Sequence, residues 1–379
     1  MKIRDITLTP IRHPAPHQLR WGKNVWNDMG GVIVQVYTDE GLVGLGDACA
    51  PIRLVRPLFE GIVKPLLVGE NPLDVERLWE KMARGVTGPG AHADLIGGLD
   101  VALWDIVGKA ANLPLYRLFG AYRDRVTAYA APCSRQPEVI LEELAGYPER
   151  GFKAVKLRLG LGPAGLADGP RDMKKDQAIV RGARELLGPN FIIGADADKT
   201  YDHGLAYQMA SLVNELDLAW FEEPLGSNLP REVYVRDMLR LREIIRVPLS
   251  GGQNLHGPAS FDGLLNTNAV DIIQPDMNHV GGLTAMRKVG HMAEGRNIAC
   301  MPHVSCHLGS DIITMATAHA LGAMPNGLWL CYQAYDTPLR TELLVEQPKL
   351  VDGDIVFTDR PGLGIELNQE VLKRYTVDG

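Results

Sequence analysis

Alternation of apolar and polar positions governs the first fifty residues. Met1 to Leu8 alternates charged and apolar side chains, Gly31 to Tyr37 is a second apolar-rich run, and Leu42 to Gly46 is its partner across the turn Thr38-Asp39-Glu40-Gly41. A period of two with a glycine-terminated turn predicts antiparallel strands. Between the first strand and this hairpin, Pro14 to Asp28 reads as a loop carrying His17, Arg20, Trp21, Lys23 and Trp26. Its aromatic and basic residues suit a lid over a polar anion as well as a plain surface loop. From Pro72 to Leu118 the spacing becomes helical, and Ile96 to Lys109 mixes apolar with small residues that permit close packing.

Beyond the polar hinge at Gly120 to Asp124, strand and helix patterns alternate without interruption. Apolar runs end at Ala131, Arg158, Asp196, Glu222, Gln253, Asp276, His303 and Cys331, each about one strand and one helix apart. Helices are expected from Asp172 to Leu187, Gly204 to Glu215 and Gly282 to Glu294. Eight such units predict a closed α/β barrel; the competing open doubly wound sheet is disfavoured because no G-x-G-x-x-G follows an early strand. After Pro338 the alternation stops. Asp352 to Phe357 and Pro361 to Ile365 read as short strands or turns and Gln369 to Tyr375 as a last helix. The expected organisation is an α+β capping domain over 1–124, a modified TIM (β/α) barrel over 125–352, and a tail, 353–379, that folds back.

Composition narrows the function. A chain of 379 residues, 46% of them hydrophobic, buries a sizeable core. A net charge of -7 offers no basic surface for a phosphate backbone, so nucleic acid is excluded as a partner. The five cysteines, Cys49, Cys133, Cys300, Cys306 and Cys331, are odd in number and scattered, which fits reduced thiols in the cytoplasm. The N-terminus lacks the apolar stretch of a signal peptide, and no run is long enough to cross a membrane.

The chemistry lies where the strands end. Three consecutive runs stop at Asp196, Glu222 and Gln253, so three side-chain oxygens would meet at one rim, as a hard cation such as Mg²⁺ requires. Lys156 and Arg158 sit two apart and leave one strand on the same side. Cations buried there need anionic partners.

Gly151 to Arg158, Asp196-Ala197-Asp198, Trp220-Phe221-Glu222-Glu223-Pro224, Asp276 ahead of Gly281-Gly282, Met301-Pro302-His303, Leu99 to Asp105 and Pro361 to Gly364 together resemble the enolase superfamily, in particular its mandelate racemase subgroup. The resemblance spans nearly the whole chain. It implies a capped, modified β/α barrel, with Mg²⁺ on Asp196, Glu222 and Gln253. Lys156 would contact the substrate carboxylate, and His303 would be the base that removes the adjacent proton, oriented by Asp276. Substrate contacts are expected from Trp21, Asp198 and Tyr332. His17, His203, His256, His279 and His307 show no partner in the pattern. Relatives commonly form homo-oligomers.

Departures from the subgroup's pattern select among its reactions. Arg158 stands where a second lysine is usual, and a guanidinium is a clamp rather than a proton acceptor. Cys331 stands where the racemase has a glutamic acid. Asp276 stands where muconate-lactonizing and dipeptide-epimerising relatives carry a lysine, and Gln253 replaces the third metal carboxylate. One obvious base, His303, disfavours racemisation and leads to a Mg²⁺-dependent acid-sugar dehydratase, a lyase. The alternatives are a racemase or epimerase of a 2-hydroxy acid, and a barrel that only binds an acidic ligand.

Overall fold

A computed structural model describes residues 1–21, 24–86, 91–132, 137–160, 172–226, 230–305 and 310–378. Three antiparallel strands open the chain: β1 (Ile3–Trp21), β2 (Asn24–Thr38) and β3 (Val43–Ala48), in the order β1-β2-β3. Of the expected loop from Pro14 to Asp28, residues 14–21 and 24–28 form the outer part of this hairpin, and Lys23 lies outside the described residues. Pro14 pairs with Asp28 and, past a register shift, Leu19 pairs with Trp26. The two prolines and polar residues hid the strand because edge-strand pairing is set by the partner more than by side-chain alternation.

The helix Ala91–Ala111 lies across β3 at backbone distance. A Cβ on Gly98 would fall 2.5 Å from the Asp47 carbonyl oxygen, and one on Gly97 2.7 Å from that of Asn278. Small residues thus bring the helix against both the capping sheet and the barrel rim. Asp100 accepts from the Thr284 amide (2.8 Å) and hydroxyl (2.7 Å), and Trp104 donates to the same hydroxyl. Burial pushes the Asp100 carboxyl up to about 7.

The barrel strands follow: β4 (Arg125–Ala131), β5 (Ala154–Arg158), β6 (Ile192–Asp196), β7 (Trp220–Glu222), β8 (Leu249–Gly251), β9 (Ile272–Ile273), β10 (Ala299–Cys300) and β11 (Leu330–Gln333). All neighbours pair in parallel from β4 to β10, and β11 returns to β4. A parallel bridge between Cys300 and Gly327 closes the ring. The helices Met173–Leu187, His203–Glu215 and Leu283–Glu294 lie where the pattern put them, the first two capped by Asp172 and Asp202. The tail forms the hairpin β12 (Leu350–Val351) and β13 (Asp354–Val356). β13 runs antiparallel to β4, and after the helix Gln369–Tyr375 the Val377 amide donates to the Pro10 carbonyl at 3.0 Å. Pro361 to Ile365 forms no strand; Gly362 bridges Pro114. Among the described residues, no helix is long and apolar enough to cross a membrane.

Candidate active site

Register builds the first half of the site. Arg158 pairs with Asp196 and Asp196 with Glu222 across β5, β6 and β7, so these strand ends lie level. Gly194 leaves room inside the ring, because a Cβ there would meet the Trp220 indole at 2.1 Å. That indole packs against Tyr129 (5.3 Å) and Trp329 (5.4 Å) and donates from Nε1 to Glu222 Oε2 at 3.0 Å. Gln274 donates to the same oxygen at 2.7 Å. Glu222 is therefore held from one side by two neutral donors.

Its other oxygen faces Lys156. Lys156 Nζ lies 2.6 Å from Glu222 Oε1 and 3.0 Å from Asp196 Oδ2, all three groups fully enclosed. Burial opposes its charge, but the two carboxylates hold the Lys156 ammonium well above the ordinary lysine range. Burial and the Asp196 charge push Glu222 up to about 7. Asp196 stays below its ordinary value: burial works against ionisation, and the Lys156 charge outweighs it.

Gln253 lies two residues beyond β8, nearly buried, and its Oε1 has no hydrogen-bond partner. An orphaned buried acceptor costs about 1–3 kcal/mol. Asp196 and Glu222 supply carboxylate oxygens and Gln253 an unpartnered amide oxygen, donor types that would suit a hard divalent ion such as Mg²⁺. Among the described residues, no three His, Cys, Asp or Glu side chains gather as a metal cluster; the third donor here is an amide.

Loops build the second half. Asp276 and His303 lie three residues past β9 and β10, aligned by an isolated parallel bridge. Asp276 caps the short helix Met277–Val280 through the Asn278 and His279 amides (2.9 and 3.1 Å). Its other oxygen meets His303 Nδ1 at 2.7 Å and the Ser305 hydroxyl at 2.7 Å. Burial works against the Asp276 charge, yet the His279 and His303 rings hold its carboxyl far below the usual range. An ionised Asp276 fixes the proton on His303 Nδ1 and leaves Nε2 as the acceptor. Burial lowers His303, and the Lys156 and Arg158 charges add to the effect. The imidazole is neutral near pH 7 and within electrostatic reach of both cations.

Other expected residues fall differently. Tyr332 does not join the site: on β11 it faces away from Cys331 and Gln333, packs on Phe152 at 5.7 Å, and its hydroxyl receives Arg340. One residue's difference on a strand reverses the face. Cys331 is inside β11 rather than at its end, with Gln333 Nε2 3.7 Å from its sulfur. Asp198 lies 3.1 Å from Lys199 Nζ. Trp21 ends β1, and its side chain lies outside the described residues, as do Cys133, Cys306 and His307. His279, expected to lack a partner, meets Asp94 at 2.6 Å, and His203 lies 3.4 Å from Asp237. Asp94 is 185 residues away in the chain, beyond any local pattern. Gln274 could have been read, since it stands two positions before Asp276 on the inward face; Ser305 follows His303 at the same interval.

Residues 3–120 match the model of the mandelate racemase / muconate lactonizing enzyme N-terminal domain, and residues 140–371 match the enolase C-terminal domain-like model. The chain is 30% identical to an arabinonate dehydratase of Saccharolobus solfataricus over 91% of this chain and 90% of that protein. It is also 30% identical to a D-xylonate dehydratase of Haloferax volcanii, over 92% and 86%. The crystal structure of a racemase from Streptomyces coelicolor A3(2) with bound magnesium superposes with a TM-score of 0.85 at 26% identity, covering 99% of this chain and 100% of that one. On its capped barrel, its rim carboxylates and these matches, the chain belongs to the mandelate racemase/muconate lactonizing enzyme family of the enolase superfamily.

Proposed function

We propose that this protein is an acid-sugar dehydratase, a hydro-lyase that requires Mg²⁺ and converts an aldonate or aldarate to a 2-keto-3-deoxy acid. The observation that carries this reading is the pairing, on one barrel, of an enclosed Lys156–Asp196–Glu222 cluster with the Asp276–His303 dyad. The dehydratase names of the two relatives support the substrate class.

A proton next to a carboxylate is weakly acidic because its loss places charge on the carboxylate oxygens. Neutral His303 takes the C2 proton at Nε2 while Asp276 supports the imidazolium through Nδ1. Lys156 and Arg158 place two fixed positive charges where the substrate's negative charge grows. Mg²⁺ held by Asp196, Glu222 and Gln253 would add Lewis-acid polarisation of the substrate oxygens. The C3–O bond then breaks. His303 imidazolium returns its proton to the departing hydroxide, which leaves as water, and the enol ketonises. A dyad on one side accounts for both transfers when the C2 hydrogen and C3 hydroxyl share a face. Arg158 cannot accept a proton, which works against a two-base racemase.

Purified protein with Mg²⁺, given a panel of acid sugars in D₂O, should form 2-keto acids. Deuterium exchange at C2 with no loss of water would establish an epimerase or racemase instead. No turnover and no exchange across the panel would leave a ligand-binding barrel. Light scattering reads the homo-oligomer implied by the family.

A further inference from the structure

Glu223 follows Glu222 directly, yet a φ of 37° turns its backbone out of the strand. Asp198 and Lys199 are also left-handed, at 48° and 62°. Non-glycine residues in that region cost about 1–3 kcal/mol each and persist where contacts over-determine them. Lys199 contacts both of the others. The Lys199 amide donates to the Glu223 carbonyl at 2.7 Å, and Lys199 Nζ lies 3.1 Å from both Glu223 Oε2 and Asp198 Oδ1. Burial opposes the Lys199 charge, but Glu223 and Asp198 hold its pKa above the ordinary value.

The other Glu223 oxygen reaches the neighbouring strand. Oε1 accepts from the Gly252 amide at 2.9 Å and from the Gln253 amide at 3.2 Å. Gly251 makes this approach possible: a Cβ there would crowd the Tyr234 hydroxyl at 2.4 Å and touch Glu223 Cγ at 3.4 Å. A fully enclosed carboxylate therefore ties the loop after β6 to the turn that carries Gln253. Gln253 brings no charge to a cation, so its contribution depends on where its amide oxygen is held.

We propose that Glu223 is a positioning residue for the divalent-cation site: with Lys199 as its buried counter-ion, it fixes the backbone of Gly252 and Gln253 and so presents the Gln253 amide oxygen to the ion. The inference rests on the cation site of Asp196, Glu222 and Gln253 described above. Groups that orient a ligand typically change metal affinity 10–100-fold when removed.

Calorimetric titration with MgCl₂, without substrate, tests it. Wild type binds the ion; absence of binding would remove the cation site, and this proposal with it. Glu223→Ala should raise Kd about 10-fold, Gln253→Ala should do the same, and the double variant should be no weaker than the weaker single. Wild-type affinity in Glu223→Ala, or effects that multiply in the double variant, would overturn the proposal. A merely structural role would lower Tm and leave Kd unchanged. Where Lys199, left with Asp198 as its remaining counter-ion, prevents folding, Glu223→Ala/Lys199→Met removes both charges of the Glu223–Lys199 pair; circular dichroism confirms its fold, and the same weakening is expected. Wild-type affinity in that folded variant would equally refute the assignment.

Discussion

The two halves of the site are built by different means. Lys156, Asp196 and Glu222 stand on or at the end of β5, β6 and β7, whose register sets them side by side. Asp276 and His303 stand beyond strands of only two residues each. Their alignment depends on one bridge and on helix-capping bonds. The first half gathers two buried carboxylates around the Lys156 ammonium, with burial and the Asp196 charge raising Glu222 to about 7. The second is an imidazole whose charged form is disfavoured by burial and by the charges of Lys156 and Arg158. One half is thus suited to hold charge and the other to move a proton, and their chemistry meets only because the ring closes.

The comparison breaks hardest at His303. His303→Asn should lower kcat about 10³-fold while magnesium binding measured by calorimetry stays at the wild-type value. A loss of both would mean that the halves are not separable.

Removing the cation of the first half tests the opposite dependence. Lys156→Met leaves Asp196 and Glu222 buried without their counter-charge, at a cost of about 3–5 kcal/mol. Thermal unfolding should show the variant gaining more from added Mg²⁺ than wild type does. Equal gains would separate the ammonium from the cation site.

The loop-built half should also respond to the cap. Burial opposes the His279 charge, but Asp276 and Asp94 raise its pKa from 6.5 to about 9. A folded-state pKa above the unfolded one stabilises fully below pH 6.5 and is lost as pH rises through 9. Asp94→Asn should therefore cost about 2 kcal/mol at pH 6 and much less at pH 10, read by urea unfolding at both. A pH-independent cost would assign Asp94 to packing alone.

The smallest effect is expected at Tyr332. Its hydroxyl is held by Arg340 on the far face of β11, so Tyr332→Phe should change kcat less than about threefold. A large loss, with Tm unchanged, would return it to the substrate contacts.

The amino-acid pattern determined the ring of alternating strands and helices, the capped organisation and the positions of Lys156, Asp196 and Glu222. Their legibility has a physical cause: buried strands need apolar runs, and a polar side chain that ends such a run must lie at the rim. Asp276 and His303 were located as the ends of apolar runs, but their roles came from family motifs, since too few residues pair there to leave a period. The strand character of residues 14–21 and 24–28, the outward face of Tyr332, the Asp94–His279 pair and the brace from Lys199 through Glu223 to Gln253 were decided by tertiary structure alone. Each joins groups from different elements or turns on a half-period of one strand, and local sequence preference carries no record of such contacts.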